Sequence, residues 1–364
     1  MEGNRIQEKE RVYYNHTDSC NYVRFNIREC FEFMYAKPWL HVVHFYFTLA
    51  KARLTLSDLF FPITTRPDTQ NQDETPGYVD VPSKGRGGRW ARVTYKIILS
   101  YHGASFDGWQ KQPGLNTIQS LVEKSVGIFV NEQKAQSLKQ KSLPQEGCVV
   151  VAGRTDKGVT TLNQVCSFYT WRKDVKTKDV ENAMLRVVSA YEMSCTDDAG
   201  KEKGRRLIDA NMDESEKGNK PTSFSIDMVN QLLLQLEGKS LSYKVFVRDT
   251  KASRSTGPPT ECFLYHARAT QSRIPSKEEV NGERKKGPKN MCIELVDNRF
   301  LRKMVQVPVA TTIREAVAGA EDDALLKLME ATCRRVTAPP APPDGLCLVD
   351  VGYAEFNQEN CLIK

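Results

Sequence analysis

Alternating and β-branched runs mark the strands of this chain. Residues 93–99 read as a first strand and 148–152 as a second. In 164–170 Val165, Ser167 and Tyr169 alternate with Gln164, Cys166 and Phe168, which predicts a third. Residues 291–296 alternate in the same way, and 346–353 read as a final strand. Helical spacing appears between these runs. Ile118, Leu121, Val122 and Val126 share one helical face, with Asn116 as a candidate N-cap and Gln119 completing a capping-box-like pair. Residues 226–237 predict a helix stopped by Gly238. Residues 300–306 and 313–317 look helical, and Pro308 between them is expected to kink or end a continuous helix, because an interior proline removes a backbone donor. Residues 322–335 predict another helix, acidic at its start and basic at its end as the macrodipole favours. Strands and helices intermixed at hairpin-compatible spacings predict an α+β fold.

The same pattern divides the chain. Residues 1–90 form a leader in which no period lasts, although 11–15 and 31–35 are rich in aromatics; 68–88 is a polar, Pro/Gly-rich linker. A first folded unit spans 91–195, a charged flexible insert 196–224, a second unit 225–354 and a short tail 355–364. Residues 254–260 and 275–290 read as loops.

Composition changes this picture little. The 364 residues, 40% hydrophobic and 27% charged, suffice for one large domain or two. With 52 Lys and Arg against 45 Asp and Glu, the formal charge of +7 permits an anionic partner without demanding one. Mean hydropathy is −0.49. No apolar run approaches the length of a membrane span, and the most apolar early stretch, 39–50, is interrupted by His41 and His44. Ten cysteines occur without a CxxC pair, so no metal site is expected. With no secretory pattern, free thiols in a reducing intracellular compartment are expected.

Two segments carry chemistry. Gly153-Arg154-Thr155-Asp156-Lys157-Gly158-Val159 lies at a strand end, with glycines that let the backbone turn and a ligand approach. Arg154, two residues from Asp156, can help keep a partly buried carboxylate ionised. Taken alone, such a loop is more often a β-turn with a solvated ion pair. Tyr101-His102-Gly103-Ala104-Ser105-Phe106-Asp107-Gly108-Trp109-Gln110 joins aromatic faces, polar tips and free backbone, a combination suited to a base or a sugar. Taken alone, it is a Gly-rich βα loop with its aromatics in the core.

Together the two are far more specific. With 116–122, Gln164-Val165, Asn298-Arg299-Phe300-Leu301-Arg302-Lys303-Met304-Val305 and Ala341-Pro342-Pro343-Asp344-Gly345-Leu346, in this order and spacing, the chain resembles the TruA-type tRNA pseudouridine synthase family over residues 91–354, and eukaryotic, plant-like members most. The resemblance implies a pseudouridine synthase fold: two α/β subdomains, with mixed, mainly antiparallel sheets, flanking a basic cleft. It makes 91–195 the N-terminal catalytic subdomain. It implies a tRNA-uridine isomerase that uses no metal and no organic cofactor. The aspartate of the GRTD motif, here Asp156, would be the catalytic carboxylate, acting as nucleophile or assisting formation of a glycal. Arg154 would pair with Asp156 or hold the flipped nucleotide. Thr155, Lys157, Gln110, Arg302 and Lys303 are the further RNA-binding candidates, and the run Lys84, Arg86, Arg89, Arg92 and Lys96 has no acidic residue within it. The partner implied is tRNA, with no membrane; bacterial members are dimers, which brings in a homodimer.

The chain departs from the family pattern at four places. The family's RxYxY-like segment, whose tyrosine stacks on the target base, is expected near 184–200 and is missing; Tyr191 is a poor substitute and Tyr265 belongs to a later strand. Gln306 stands where the family usually has arginine, Pro308 falls inside an expected helix, and Thr160 replaces a frequent histidine. An inactive or truncated RNA-binding relative is therefore the alternative reading. A hydrolase using Asp156 with His102 or His266 ranks last, because no nucleophile elbow, metal spacing or paired carboxylate accompanies them.

Overall fold

The structure, a computed structural model, describes residues 18–51, 54–60, 92–143, 145–196, 220–221, 223–248, 260–275, 279–280, 283–284, 287–331 and 333–364. The linker, residues 197–219 of the charged insert and the loop at 254–259 lie outside the described residues, as do Lys84, Arg86 and Arg89.

Residues 18–60 build two helices, α1 (Ile27–Tyr35) and α2 (Trp39–Ala50). The first sheet is organised around β3 (Thr160–Thr170). Antiparallel β1 (Val93–Tyr101) runs along one side of it with Val93 opposite Thr170, and β2 (Val150–Val151) pairs near its middle. The β-branched, apolar run at 93–99 is a strand as predicted, and it is half-buried. Tyr95 and Tyr101 turn inward, while Ile98 points to solvent. That inward face packs with Trp109, Val126, Cys166 and Phe168, and with α3 (Ile118–Val126), of whose expected apolar stripe Ile118, Val122 and Val126 are buried and Leu121 is half-buried. α4 (Glu132–Gln140) and α5 (Thr177–Thr196) follow, α5 packing against α3.

The second sheet has the order β4–β5–β8, all antiparallel: β4 (Lys239–Ser242), β5 (Glu261–Arg273) and β8 (Lys289–Asp297). Its apolar face is covered by α6 (Ile226–Leu234), α7 (Gln306–Ala318) and α8 (Ala324–Met329), with Leu232, Phe246, Ala267, Val307 and Leu325 fully buried between them. Between β5 and β8 lies a small hairpin of β6 (Glu279–Val280) and β7 (Glu283–Arg284). The final strand β9 (Cys347–Leu348) returns to the first sheet and pairs in parallel with the start of β3. The α+β class is thus what the patterning predicts, and the mainly antiparallel sheets are what the resemblance implies. Among the described residues no helix is long and apolar enough to cross a membrane.

Several local expectations are corrected. Asn116 does not cap α3. Its side chain donates to Ser105 O at 3.0 Å, Gln119 accepts from Lys111 N at 3.0 Å, and Thr117 occupies the cap position without a side-chain bond. Pro308 does not break a helix, because α7 begins at Gln306 and the proline falls in its first turn, where backbone N–H groups have no helical acceptor. The helix expected over 322–335 shrinks to α8, and the strand over 346–353 shrinks to two paired residues.

The leader supplies real structure. Asn26 and Glu29 form a reciprocal capping box at α1, with bonds of 2.9 and 2.7 Å. Cys30 and Met34, one turn apart, pack with Phe25 onto Ala310, Ile313 and Val317 of α7. Phe45 and Leu49 of α2 and Leu59 pack with Ile274, Leu162 and Cys292, joining the two sheets. The anchor of this segment is ionic. Arg24, buried, meets Glu315 at 2.8 Å and Asp18 at 2.8 Å, and Arg314 meets the same Glu315 at 2.6 Å. Burial alone would lower the Arg24 pKa, but the hydrogen bonds it donates to Asp18 and Glu315, with their charges, outweigh it and raise it. Removing one partner of such a network leaves a buried charge uncompensated. Glu315→Ala leaves Arg24 with Asp18 alone and Arg314 with Val336 O alone, and is therefore expected to cost about 3 kcal/mol in denaturant unfolding; a loss under about 1 kcal/mol would contradict this account of the anchor.

Candidate active site

The loop 153–159 between β2 and β3 is shaped by backbone contacts from both sides. On the β1 side, Gly103 lies so close that a Cβ there would sit 2.2 Å from the carbonyl carbon of Val159, and its N–H donates to Thr160 Oγ1 at 3.0 Å. Only glycine fits this approach. Gly108, at φ +103°, turns the chain so that Trp109 N–H donates to Thr155 O at 3.1 Å. Trp109 is buried beneath. Gln164, also buried, donates to Gly153 O at 2.8 Å, and the Tyr101 hydroxyl lies 2.6 Å from Thr155 Oγ1. The loop's inner residues are thus held by core groups, which leaves its polar tips free to face outward.

These tips fall into three pairs. Asp156 Oδ2 lies 3.3 Å from Lys303 Nζ, with the two side chains 32% and 25% exposed, so the pair is sheltered yet reachable. Lys157 Nζ donates to Asp107 Oδ1 at 2.6 Å. Arg154 Nη1 donates to Gln110 Oε1 at 3.0 Å. The cation at Asp156 is therefore Lys303, from the second half of the chain, while Arg154 turns to Gln110. Lys303 takes a left-handed backbone, φ +64°, in the turns that lead into α7. Arg302, its neighbour, is exposed, and its carbonyl accepts from Arg248 N. Gln306 is buried, and neither of its side-chain polar atoms has a partner.

Asp107 and Tyr101 are site residues that the sequence shows but does not single out. The only sign of their role was their place in the aromatic loop. Of the span 184–200 where the RxYxY-like segment was expected, the described residues 184–196 belong to α5, and 197–200 lie outside the described residues. Tyr265, in β5, stacks on Phe356 at 5.1 Å. The two candidate histidines are engaged elsewhere. His102 Nε2 lies 3.2 Å from Val43 O and its pKa is lowered by burial, while His266 Nε2 lies 2.9 Å from Ile363 O. Donor atoms of His266, Glu294 and Cys361 lie within 4.8 Å of one another. The Glu294 carboxylate accepts from Leu362 N and Ile363 N, so this cluster serves to anchor the tail.

Asp297 opens the segment that carries Lys303. Burial pushes its carboxyl up to about 6, against a smaller opposing pull from Arg299, and its Oδ2 has no partner. A folded pKa above the ordinary 3.8 means that this group's stability contribution is complete below the ordinary value and is lost as pH rises through about 6. Asp297→Asn should thus raise the denaturant midpoint at pH 8, with the gain vanishing near pH 4; an Asn variant less stable than the parent at pH 8 would contradict this.

No family model matches the chain. It is 25% identical over 278 residues, covering 72% of the chain and 100% of the relative, to the protein named tRNA pseudouridine synthase A of Neorickettsia sennetsu. Identity to the protein of the same name from Acetivibrio thermocellus is 24% over 274 residues, 71% of the chain and 98% of that relative. With the Leptospira biflexa protein of that name it reaches 41%, over 76 residues that make up 21% of the chain and 25% of that relative. Over some seven tenths of its length, then, the chain is similar to proteins named tRNA pseudouridine synthase A, whose own lengths it spans almost completely.

Proposed function

We propose that this chain isomerises uridines in tRNA to pseudouridine, with Asp156 as the catalytic carboxylate. The observation that carries this reading is the sheltered, partly open Asp156–Lys303 pair on a loop held by backbone contacts, in a chain similar to the relatives above. The reaction is an isomerisation and balances without a co-reactant. The bond from the base nitrogen to the ribose breaks, the base turns, and its carbon 5 bonds the same ribose carbon. Carbon 5 loses a proton and the freed nitrogen gains one. Whether the carboxylate adds to the substrate or assists glycal formation, it works as the anion, and Lys303 aims it.

A uridine inside a helix cannot reach this loop, so the nucleotide must unstack. The exposed side chains around the pair fit that need. Arg154 and Gln110 form one polar edge, Lys157 another, and Arg302 and Lys303 contribute charge from the second half of the chain. Thr155, tied to Tyr101, fixes the backbone beside Asp156. Phosphate contacts by such residues would make tRNA binding salt-sensitive.

The test is site-mapped pseudouridine formation in unmodified tRNA. Asp156→Asn is expected to lower the rate by about a thousandfold or more while leaving tRNA affinity within about threefold. Product formed equally well by the variant would overturn the reading. Salt-sensitive binding with no product from the parent chain would instead favour an inactive RNA-binding relative, consistent with helix in place of the tyrosine segment.

A further inference from the structure

We infer that α2, at the N-terminal side of the chain, is a brace that sets the position of Asp156, with Trp39 and Tyr46 as positioning residues. The inference deepens the isomerase reading and rests on it for its catalytic consequence.

Two contact paths run from α2 to the Asp156 loop. The first passes through the turn that holds Pro343 and Gly345. A Cβ on Gly345 would fall 2.4 Å from Trp39 Cζ3 and 2.9 Å from Cη2, so the indole lies directly against the backbone there. The Trp39 indole is itself fixed, with Nε1 donating to Met34 O at 2.8 Å. About two helical turns further along, the Tyr46 hydroxyl donates to Gly345 O at 3.2 Å; burial raises the pKa of this phenol well above its ordinary value, so it stays a donor. From this turn the contact continues to the loop. Pro343 sits against Gly158, where an added Cβ would come within 3.1 Å of its Cγ, and Leu346 O accepts from Thr160 N at 3.2 Å. Gly158 is two residues from Asp156.

The second path passes through His102. Its Nε2 lies 3.2 Å from Val43 O, and its ring meets Phe47 edge-on at 5.5 Å. The next residue, Gly103, is the one pressed against the Val159 carbonyl. Both loops that close on 158–160 therefore rest on one helix. That helix is in turn locked between the two sheets through Phe45 and Leu49.

The geometry matters because a carboxylate displaced by about 1 Å from its productive position can lose about a hundredfold in rate. A loop packed from one side only would sample such displacements. Gly345 gives the inference a sharp test, because its lack of a side chain is demanded by Trp39. The backbone there needs no left-handed conformation.

The experiment uses the full chain and four variants: Trp39→Ala, Trp39→Phe, Gly345→Ala, and Gly345→Ala combined with Trp39→Ala. Trp39→Ala is expected to lower kcat for pseudouridine formation by about tenfold or more, with KM for tRNA within about twofold, and Trp39→Phe to recover most of the loss. Gly345→Ala is expected to be deleterious in the parent and to add nothing once Trp39 is Ala, because the clash is gone. A second readout needs no catalysis: amide exchange at 154–160 should quicken by about tenfold in Trp39→Ala, while exchange in β5 and β8 stays unchanged. Independent, multiplying effects of the two substitutions, or unaltered exchange at 154–160, would overturn the brace. If the parent chain forms no pseudouridine, the functional reading fails on its own, and the exchange result still decides the brace.

Discussion

The start of β3 is the point on which the rest of the site depends. Thr160 and Thr161 are buried, and each is tied in from outside its strand. Thr160 N–H donates to Leu346 O, its hydroxyl accepts from Gly103 N, and Thr161 donates to Leu348 O. These bonds bring three distant segments to one spot: the turn after β1, the turn before β9 and the loop carrying Asp156. Buried hydroxyls that make every bond specify a geometry, because losing a partner leaves a desolvated polar group behind. Thr160 departs from the frequent histidine of the resembled family, and here its short side chain is the one that fits the Gly103 N–H.

Much of this arrangement was legible in the sequence, and for identifiable reasons. The β1 strand announces itself by its β-branched, apolar run and β3 by its alternation, and Tyr95 and Phe168 meet in the core that the two strands share. The stripe Ile118, Val122, Val126 is legible for the same reason at helical period. Local chemistry was less reliable than burial. Asn116 and Gln119 have the residue types of a cap, but tertiary partners at Ser105 and Lys111 take their side chains. Pro308 obeys its rule, yet the rule acts at a helix start whose place depends on the turns before it. The α1 helix escaped reading because aromatics at Phe31, Phe33 and Tyr35 surround the narrow Cys30–Met34 stripe, although the Asn26/Glu29 capping box was present. The Asp156–Lys303 pair could not be read at all from spacing. It requires the second half of the chain to fold back, and it requires Lys303 in a left-handed conformation that no lysine signals.

The leader and the site are linked by physics that the family resemblance does not contain. Breaking the sheet continuity expected of the resembled family would expose core edges and unpaired backbone. In this chain the apolar residues of α2 and Leu59 fill the space between the two sheets, and the Arg24–Glu315 network ties the helical pair to α7. The segment that looked least interpretable in sequence is thus the one that joins the two halves and backs the loops at the candidate site.

On the proposed function, the Asp156 carboxylate performs base isomerisation without the tyrosine segment. The most direct measurement is single-turnover tritium release from tRNA carrying uridine labelled at carbon 5. Pseudouridine formation must expel that hydrogen, whichever route the carboxylate takes. The account predicts release in proportion to enzyme and to the pseudouridine recovered. Tight tRNA binding with no tritium release from a folded chain would contradict it.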